Sequence, residues 1–177
     1  MCTVMTHPVV PIAASVLLPV ETASRNLLIA GAICSVVPDL DVIGFSFGVR
    51  YNAVLGHRGL THSIFFAAVV AVVVTFTAFN TNSENRLLVL LFLFLSTLSH
   101  PILDALTNGG SGVGFFAPFS NKRYFFPYHP IEVSPIGIAF FSRRGLDVLL
   151  SELRWVWLPS SIFFVVVQFL KRMRPVL

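Results

Sequence analysis

The chain has 177 residues, 55% of them hydrophobic and only 11% charged, with a formal charge of +4. That charged fraction is less than half the roughly 25% usual for soluble domains, and with a mean hydropathy of +0.83 it predicts one integral membrane domain over residues 1–177. Twelve basic residues so thinly spread do not suggest a nucleic-acid partner, and Cys2 and Cys34 share no motif, which argues against a disulfide or a thiolate zinc site.

In chain order, Thr6-His7-Pro8 opens an apolar stretch, Val9 to Val20, with Pro8 suited to a first helical turn. Twelve residues rise only about 18 Å, short of a ~30 Å hydrocarbon core, so this helix is expected to be partly inserted. Glu21 to Asn26 is a polar turn, and Leu27 to Val37 leads back to Pro38-Asp39-Leu40-Asp41. Val42 to Gly56, rich in glycine and aromatic residues, reads as a loop or interfacial segment ending at His57. Ser63 to Phe79 carries no charge, and the preceding His57-Arg58-Gly59-Leu60-Thr61-His62 stands at the mouth of that run. After the polar turn Asn80 to Arg86, a fourth helix of about 87–106 ends in Ser99-His100-Pro101-Ile102-Leu103-Asp104, where His100 and Asp104 are four apart and share a helix face. Thr107-Asn108-Gly109-Gly110-Ser111-Gly112 then stops the helix. Gly114 to Glu132 reads as a folded loop over the site, with Lys122-Arg123 placed to bind an anion and His129 and Glu132 as candidate substrate contacts. Ser134 to Leu153 is expected to include an amphipathic interfacial helix bearing Arg143, Arg144, Asp147 and Glu152. Trp155 to Leu170 reads as a last apolar helix interrupted by Pro159. The expected fold is therefore all-α and polytopic, with four or five hydrophobic helices.

If successive helices cross and return, His7, Asp39, Asp41, His57, His62, His100 and Asp104 all finish at one membrane face. Taken singly, each has an ordinary explanation: His7 as a cap, Pro-Asp-x-Asp as a turn, His100 and Asp104 as a hydrogen-bonded pair. Their convergence carries the weight, because ionisable groups at membrane depth are expensive unless paired or functional. Imidazole and carboxylate without thiolate suit a divalent metal, zinc or manganese, and so many ligands suit two ions. Such a site can hydrolyse an ester through a metal-activated water, with Asp39 and Asp104 assisting and Arg58 stabilising developing negative charge. The alternative is a metal-ion transporter or sensor, although transporters place ligands near the bilayer midplane rather than at helix ends. Seven basic residues, Arg50, Arg58, Lys122, Arg123, Arg143, Arg144 and Arg154, lie on the site face against Arg25 and Arg86 opposite, joined there by Lys171, Arg172 and Arg174 if the last helix crosses. The balance predicts a cytoplasmic site face.

These motifs also resemble the YdjM-like, LexA-regulated inner-membrane metal-dependent hydrolases. The likeness rests on Thr6-His7, Pro38-Asp39-x-Asp41, His57-Arg58-Gly59-x-Thr61-His62-Ser63, Ser99-His100-x3-Asp104 with Thr107 and Gly109, and Pro118-Phe119-Ser120, and it covers most of residues 6–135. It implies a multi-pass inner-membrane protein. A more distant similarity to the zinc-dependent phospholipase C and P1 nuclease group implies phosphoester hydrolysis at His7, Asp39, Asp41, His57, His62, His100 and Asp104, on a lipid or lipid-linked substrate among the membrane lipids. Oligomeric state has no sequence signature here.

Overall fold

A computed structural model describes residues 1–80, 83–135 and 137–173, and among them it is all-helical, with two isolated bridges in place of strands. Helix α1 (Val9–Ala14) tightens into a 3₁₀ turn over Ser15–Leu17. Helix α2 (Arg25–Cys34) is followed by a 3₁₀ segment over Val37–Phe47, so the first part of the expected 42–56 loop is helical. Helix α3 (Ile64–Ala78) and helix α4 (Ser83–Ala105) form a hairpin whose turn lies partly outside the described residues. Helix α5 (Arg143–Glu152), a π turn (Leu153–Trp157) and helix α6 (Leu158–Met173) close the chain; Arg174 is not among the described residues.

Local sequence explains the starts. Ser24 caps α2 by accepting from Leu27 N–H, and Ser63 caps α3 by accepting from Phe66 N–H, each contributing about 1 kcal/mol. The Ser63 cap fixes where α3 begins, directly after His62. Small residues set the packing: Ala71 of α3 and Gly31 of α2 approach the Val89, Phe92 and Leu93 face of α4, and a Cβ at Gly31 would collide with the Phe92 ring.

Among the described residues, three continuous stretches are long and apolar enough to cross a membrane: Arg25–Phe47, Asn85–Ala105 and Arg143–Met173. Helix α3, at 15 residues, rises about 22 Å and is shorter than a ~30 Å core. Pro159 does not interrupt the last helix. Lacking an N–H for the Trp155 carbonyl, it is accommodated by the π turn just before it, and the helix continues from Arg143 to Met173. Glu152, expected on an interfacial surface, is instead fully buried.

The segments just before α1, just after α2 and just before α3 meet the end of α4 at one end of the bundle. His7, Asp39, His62 and the His100–Asp104 turn sit on those four segments.

Candidate metal centre

Asp39, His62, His100 and Asp104 offer one ligand atom each, all within 4.8 Å of one another, and all four side chains are buried. His100 Nε2 lies 3.3 Å from Asp39 Oδ1, and His62 Nε2 lies 3.8 Å from Asp39 Oδ1 and 3.6 Å from Asp104 Oδ2. The two imidazoles meet with Nε2 to Nε2 at 3.1 Å.

The outer nitrogens decide what that contact means. His100 Nδ1 donates to the Ser35 carbonyl at 2.8 Å. His62 Nδ1 lies 3.2 Å from Asp41 Oδ2 and 3.0 Å from Thr61 Oγ1, whose own proton goes to Asp41 at 2.7 Å. Both rings therefore carry their hydrogen on Nδ1 and point a lone pair inward from Nε2. Two lone pairs 3.1 Å apart repel unless a proton or a cation lies between them, and this is how metal-binding histidines are oriented by outer partners.

Other groups at the site are also unpaired. Both oxygens of Asp39 are buried without a hydrogen-bond donor, as are both ring nitrogens of His7, while Oδ2 of Asp104 has the Arg58 ion pair but no well-formed hydrogen bond. His7 stacks on His100 with ring centroids 3.7 Å apart, and its Nε2 is 3.9 Å from Asp104 Oδ1. Burial, together with the nearby His100 ring, pulls His7 down to about 3, so it is a neutral ring with a free lone pair. For His62 burial works in the same direction, but the carboxylates of Asp104 and Asp41 more than offset it and hold the ring above its ordinary value. Orphaned carboxylate oxygens around inward-facing imidazole nitrogens fit a divalent cation.

Asp41 and His57 stand one layer out. His57 Nδ1 bonds Asp41 Oδ1 at 2.7 Å, and Asp41 Oδ2 accepts from Thr61, His62 and the Arg58 backbone N–H. With His62 they form a second group that could hold an ion, but its contacts are ordinary hydrogen bonds already.

Arg58, expected to face a substrate, is fully buried among protein partners. Its Nε is 3.0 Å from Asp104 Oδ2, one terminal nitrogen donates to the Gly109 carbonyl at 2.8 Å and the other to Thr107 Oγ1 at 3.0 Å. Its backbone has φ of 62°, a left-handed conformation costing on the order of 1 kcal/mol for a side chain of this kind, and the surrounding bonds over-determine it. Gly110 is needed here, since a Cβ would lie 2.7 Å from the Arg58 guanidinium and 2.8 Å from the Tyr51 hydroxyl. Arg58 thus fixes and neutralises Asp104 instead of reaching outward.

Residues 1–174 match the YdjM inner membrane protein family. The chain belongs to that family. It is 42% identical over 163 residues to inner membrane protein YbcI of Escherichia coli K12, covering 92% of this chain and 94% of that relative. No solved structure matches. With the apolar helices, these matches give the YdjM-family chain an inner-membrane location.

The loop candidates of this YdjM-family chain lie away from the cluster. Arg123 donates to the carbonyls of His57, Gly112, Tyr51 and Ala53, which makes it a clamp on the Tyr51–His57 loop rather than an anion contact. Lys122 is exposed, His129 is exposed against Phe125, and the Glu132 backbone bonds Ser151. Three contributors were not singled out from the sequence: the Ser35 carbonyl, the Cys2 N–H that donates to Asp104 Oδ1 at 2.8 Å, and Glu152. Glu152 alone left a trace, as an acid in an otherwise apolar register, but neighbouring arginines made it look like a surface charge.

Proposed function

We propose that the chain binds a divalent metal ion, zinc or manganese, through Asp39, His62, His100 and Asp104, with His7 completing the shell, and hydrolyses an ester in the membrane. The observation that carries the metal reading is the pair of inward Nε2 lone pairs 3.1 Å apart among unpaired carboxylate oxygens. The sequence expectation of two ions would require opening the Asp41–His57 bond, so one ion per chain is the proposed stoichiometry.

A bound ion would supply Lewis acidity to polarise the scissile ester and to acidify water. The residues have separable tasks. Asp104, ion-paired to Arg58 and held by Cys2 N–H, stays ionised and oriented. Asp39 has neither oxygen engaged by a hydrogen bond, so that beside holding the ion it would have an oxygen left to take a proton from water as general base. Asp41 fixes the His62 tautomer from outside. Arg58 acts through Asp104.

A phosphoester of a lipid or lipid-linked substrate is supported by an open apolar groove of about 460 Å³ lined by Val4, Pro8, Ile29, Ile33, Val37 and Leu40, among others. Pro8 and the pair Val37 and Leu40 flank His7 and Asp39 in sequence, so an acyl chain in the groove would lie beside the ligand-bearing segments. We further propose a multi-pass topology with the site face cytoplasmic, from the arginines and lysine of the loops at that end. The second reading, metal binding without hydrolysis as in a sensor or transporter, is favoured by one observation: none of the four inner ligands is more than 5% exposed.

Elemental analysis of detergent-purified protein, paired with phosphoester hydrolysis in mixed micelles, separates these readings. About one zinc or manganese per chain, lost in the H62A/D104A variant together with activity, supports the hydrolase. Metal without activity on any phosphoester supports the sensor, and a wild type that neither retains nor rebinds metal removes both.

A further inference from the structure

Glu152 is fully buried at the last position of α5, and among the described residues no cation pairs with it. A carboxylate so placed costs several kcal/mol unless hydrogen bonds compensate it. Its donors all come from one distant segment: the Thr3 N–H to Oε1, and the hydroxyls of Thr3 and Thr6 to Oε2 at 2.6 and 2.7 Å. Trp157 Nε1 donates to the same Thr6 hydroxyl oxygen at 2.7 Å. In a regular α-helix, residues five apart point about 140° from each other. The π turn over Leu153–Trp157, closed by Leu158 N–H to the Leu153 carbonyl, brings Glu152 and Trp157 near enough to one face for both to hold Thr6.

The held segment is the one that reaches the metal centre. Thr6 precedes His7, whose ring stacks on His100, and Thr3 follows Cys2, whose N–H bonds Asp104. Cys2 also packs with Leu103, Ile131 and Val156, so the segment is seated on the end of α4 and on the π turn at once.

We propose that Glu152, assisted by Trp157, is a positioning residue for the metal centre: it latches Met1–His7 as a strap that brings the His7 imidazole and the Cys2 N–H to the ion-binding cluster, and so sets how tightly a divalent ion is held. This rests on the metal reading above and deepens it by naming what assembles the fifth ligand. A general fold staple would lower stability in every state; a latch acting through His7 has a narrower signature.

The test is a double-mutant cycle on full-length protein in detergent, with zinc affinity measured by chelator competition and coordination by the visible spectrum of the cobalt-substituted form. E152Q is expected to weaken zinc about tenfold, the lower end of outer-shell effects, and to give the cobalt spectrum of H7A. In an H7A background E152Q should weaken zinc far less than in wild type, because only the Cys2 N–H contact with Asp104 is left for it to act through. If E152Q does not fold, T6V removes the latched hydroxyl at nearly constant shape and is expected to give the same result. Wild-type zinc affinity and spectrum in the latch variants, or losses that multiply in the double variant, would overturn the inference while leaving the metal site intact. Wild-type protein that binds neither zinc nor cobalt would instead sink the metal reading, and the latch with it.

Discussion

Two histidine–aspartate groups share His62 and differ in one respect: where their hydrogens go. In the outer group, His57 and Asp41 close on each other at 2.7 Å, and every contact is an ordinary hydrogen bond. In the inner group the hydrogens are drawn outward, to the Ser35 carbonyl and to Asp41, and the atoms left facing one another are lone pairs and unpaired oxygens. Closeness of imidazole and carboxylate is therefore a poor criterion for a metal site. The informative quantity is whether the cluster is electrostatically complete without a cation; the outer group is, and the inner one is not.

The comparison breaks most sharply at Asp41, which belongs to the outer group yet orients the inner one. Asp41→Ala removes the acceptor from His62, Thr61 and the Arg58 N–H together. Zinc affinity, measured by chelator competition, is expected to fall between ten- and a hundred-fold. Asp41→Asn should be much milder, because its remaining oxygen can turn to the side with three donors and leave His57 to adapt. Equal losses in the two variants would mean that charge, not tautomer control, is what Asp41 provides.

How much of this was legible beforehand follows from the cost of polarity in an apolar chain. His7, Asp39, His62, His100 and Asp104 stood out because hydrophobic runs surround them, and the helix hairpins carried them to one end as the apolar periodicity implied. Which imidazole nitrogen faces inward was not readable, since it depends on the Ser35 carbonyl, and every residue has a carbonyl. Glu152 was hidden for a different reason. Its helix carries Arg143, Arg144 and Asp147, an amphipathic pattern that assigns an acid to the surface, whereas partners roughly 150 positions away fix its burial. The π turn was equally opaque: Pro159 predicts a break, and a one-residue expansion that preserves the helix depends on packing against the Thr6 segment.

A smaller effect sharpens the inner half of the comparison through pH. His62 is held above its ordinary value, so in the metal-free protein a proton can occupy the space between the two Nε2 atoms. A raised pKa contributes stability that is full below about 6.5, the unfolded value, and is lost as pH rises through the folded value. Metal-free protein should thus become less stable on going up in pH through that window, whereas zinc-loaded protein should not, because a cation replaces the proton. The same competition makes zinc affinity fall by up to about tenfold for each pH unit below the His62 value, with a proton released on binding. Thermal melts with and without zinc across this range, with proton release followed in weakly buffered solution, check both signs. A metal-free melt that rises with pH in that window contradicts a proton held between the two Nε2 atoms.

The smallest expected effect lies at His57. Its ring is buried, packed edge-on against Tyr51 and His62, and among the described residues its one ion-pair partner is Asp41. His57→Phe keeps the aromatic contacts and withdraws one donor from a carboxylate that retains three others, the Thr61 hydroxyl, His62 Nδ1 and the Arg58 N–H. A lost hydrogen bond to a charged acceptor costs roughly 1.5–3 kcal/mol of stability, but none of the inner lone pairs moves with it. Zinc affinity should change by less than about threefold while the melting temperature drops by several degrees. Were His57 instead a ligand of a second ion, as the sequence motif alone suggests, the order would invert: elemental analysis would show a stoichiometry of two falling to one, with little change in the melt of the metal-free protein. A single titration of wild type beside His57→Phe thus decides whether the outer group is scaffolding for the inner site or a site itself.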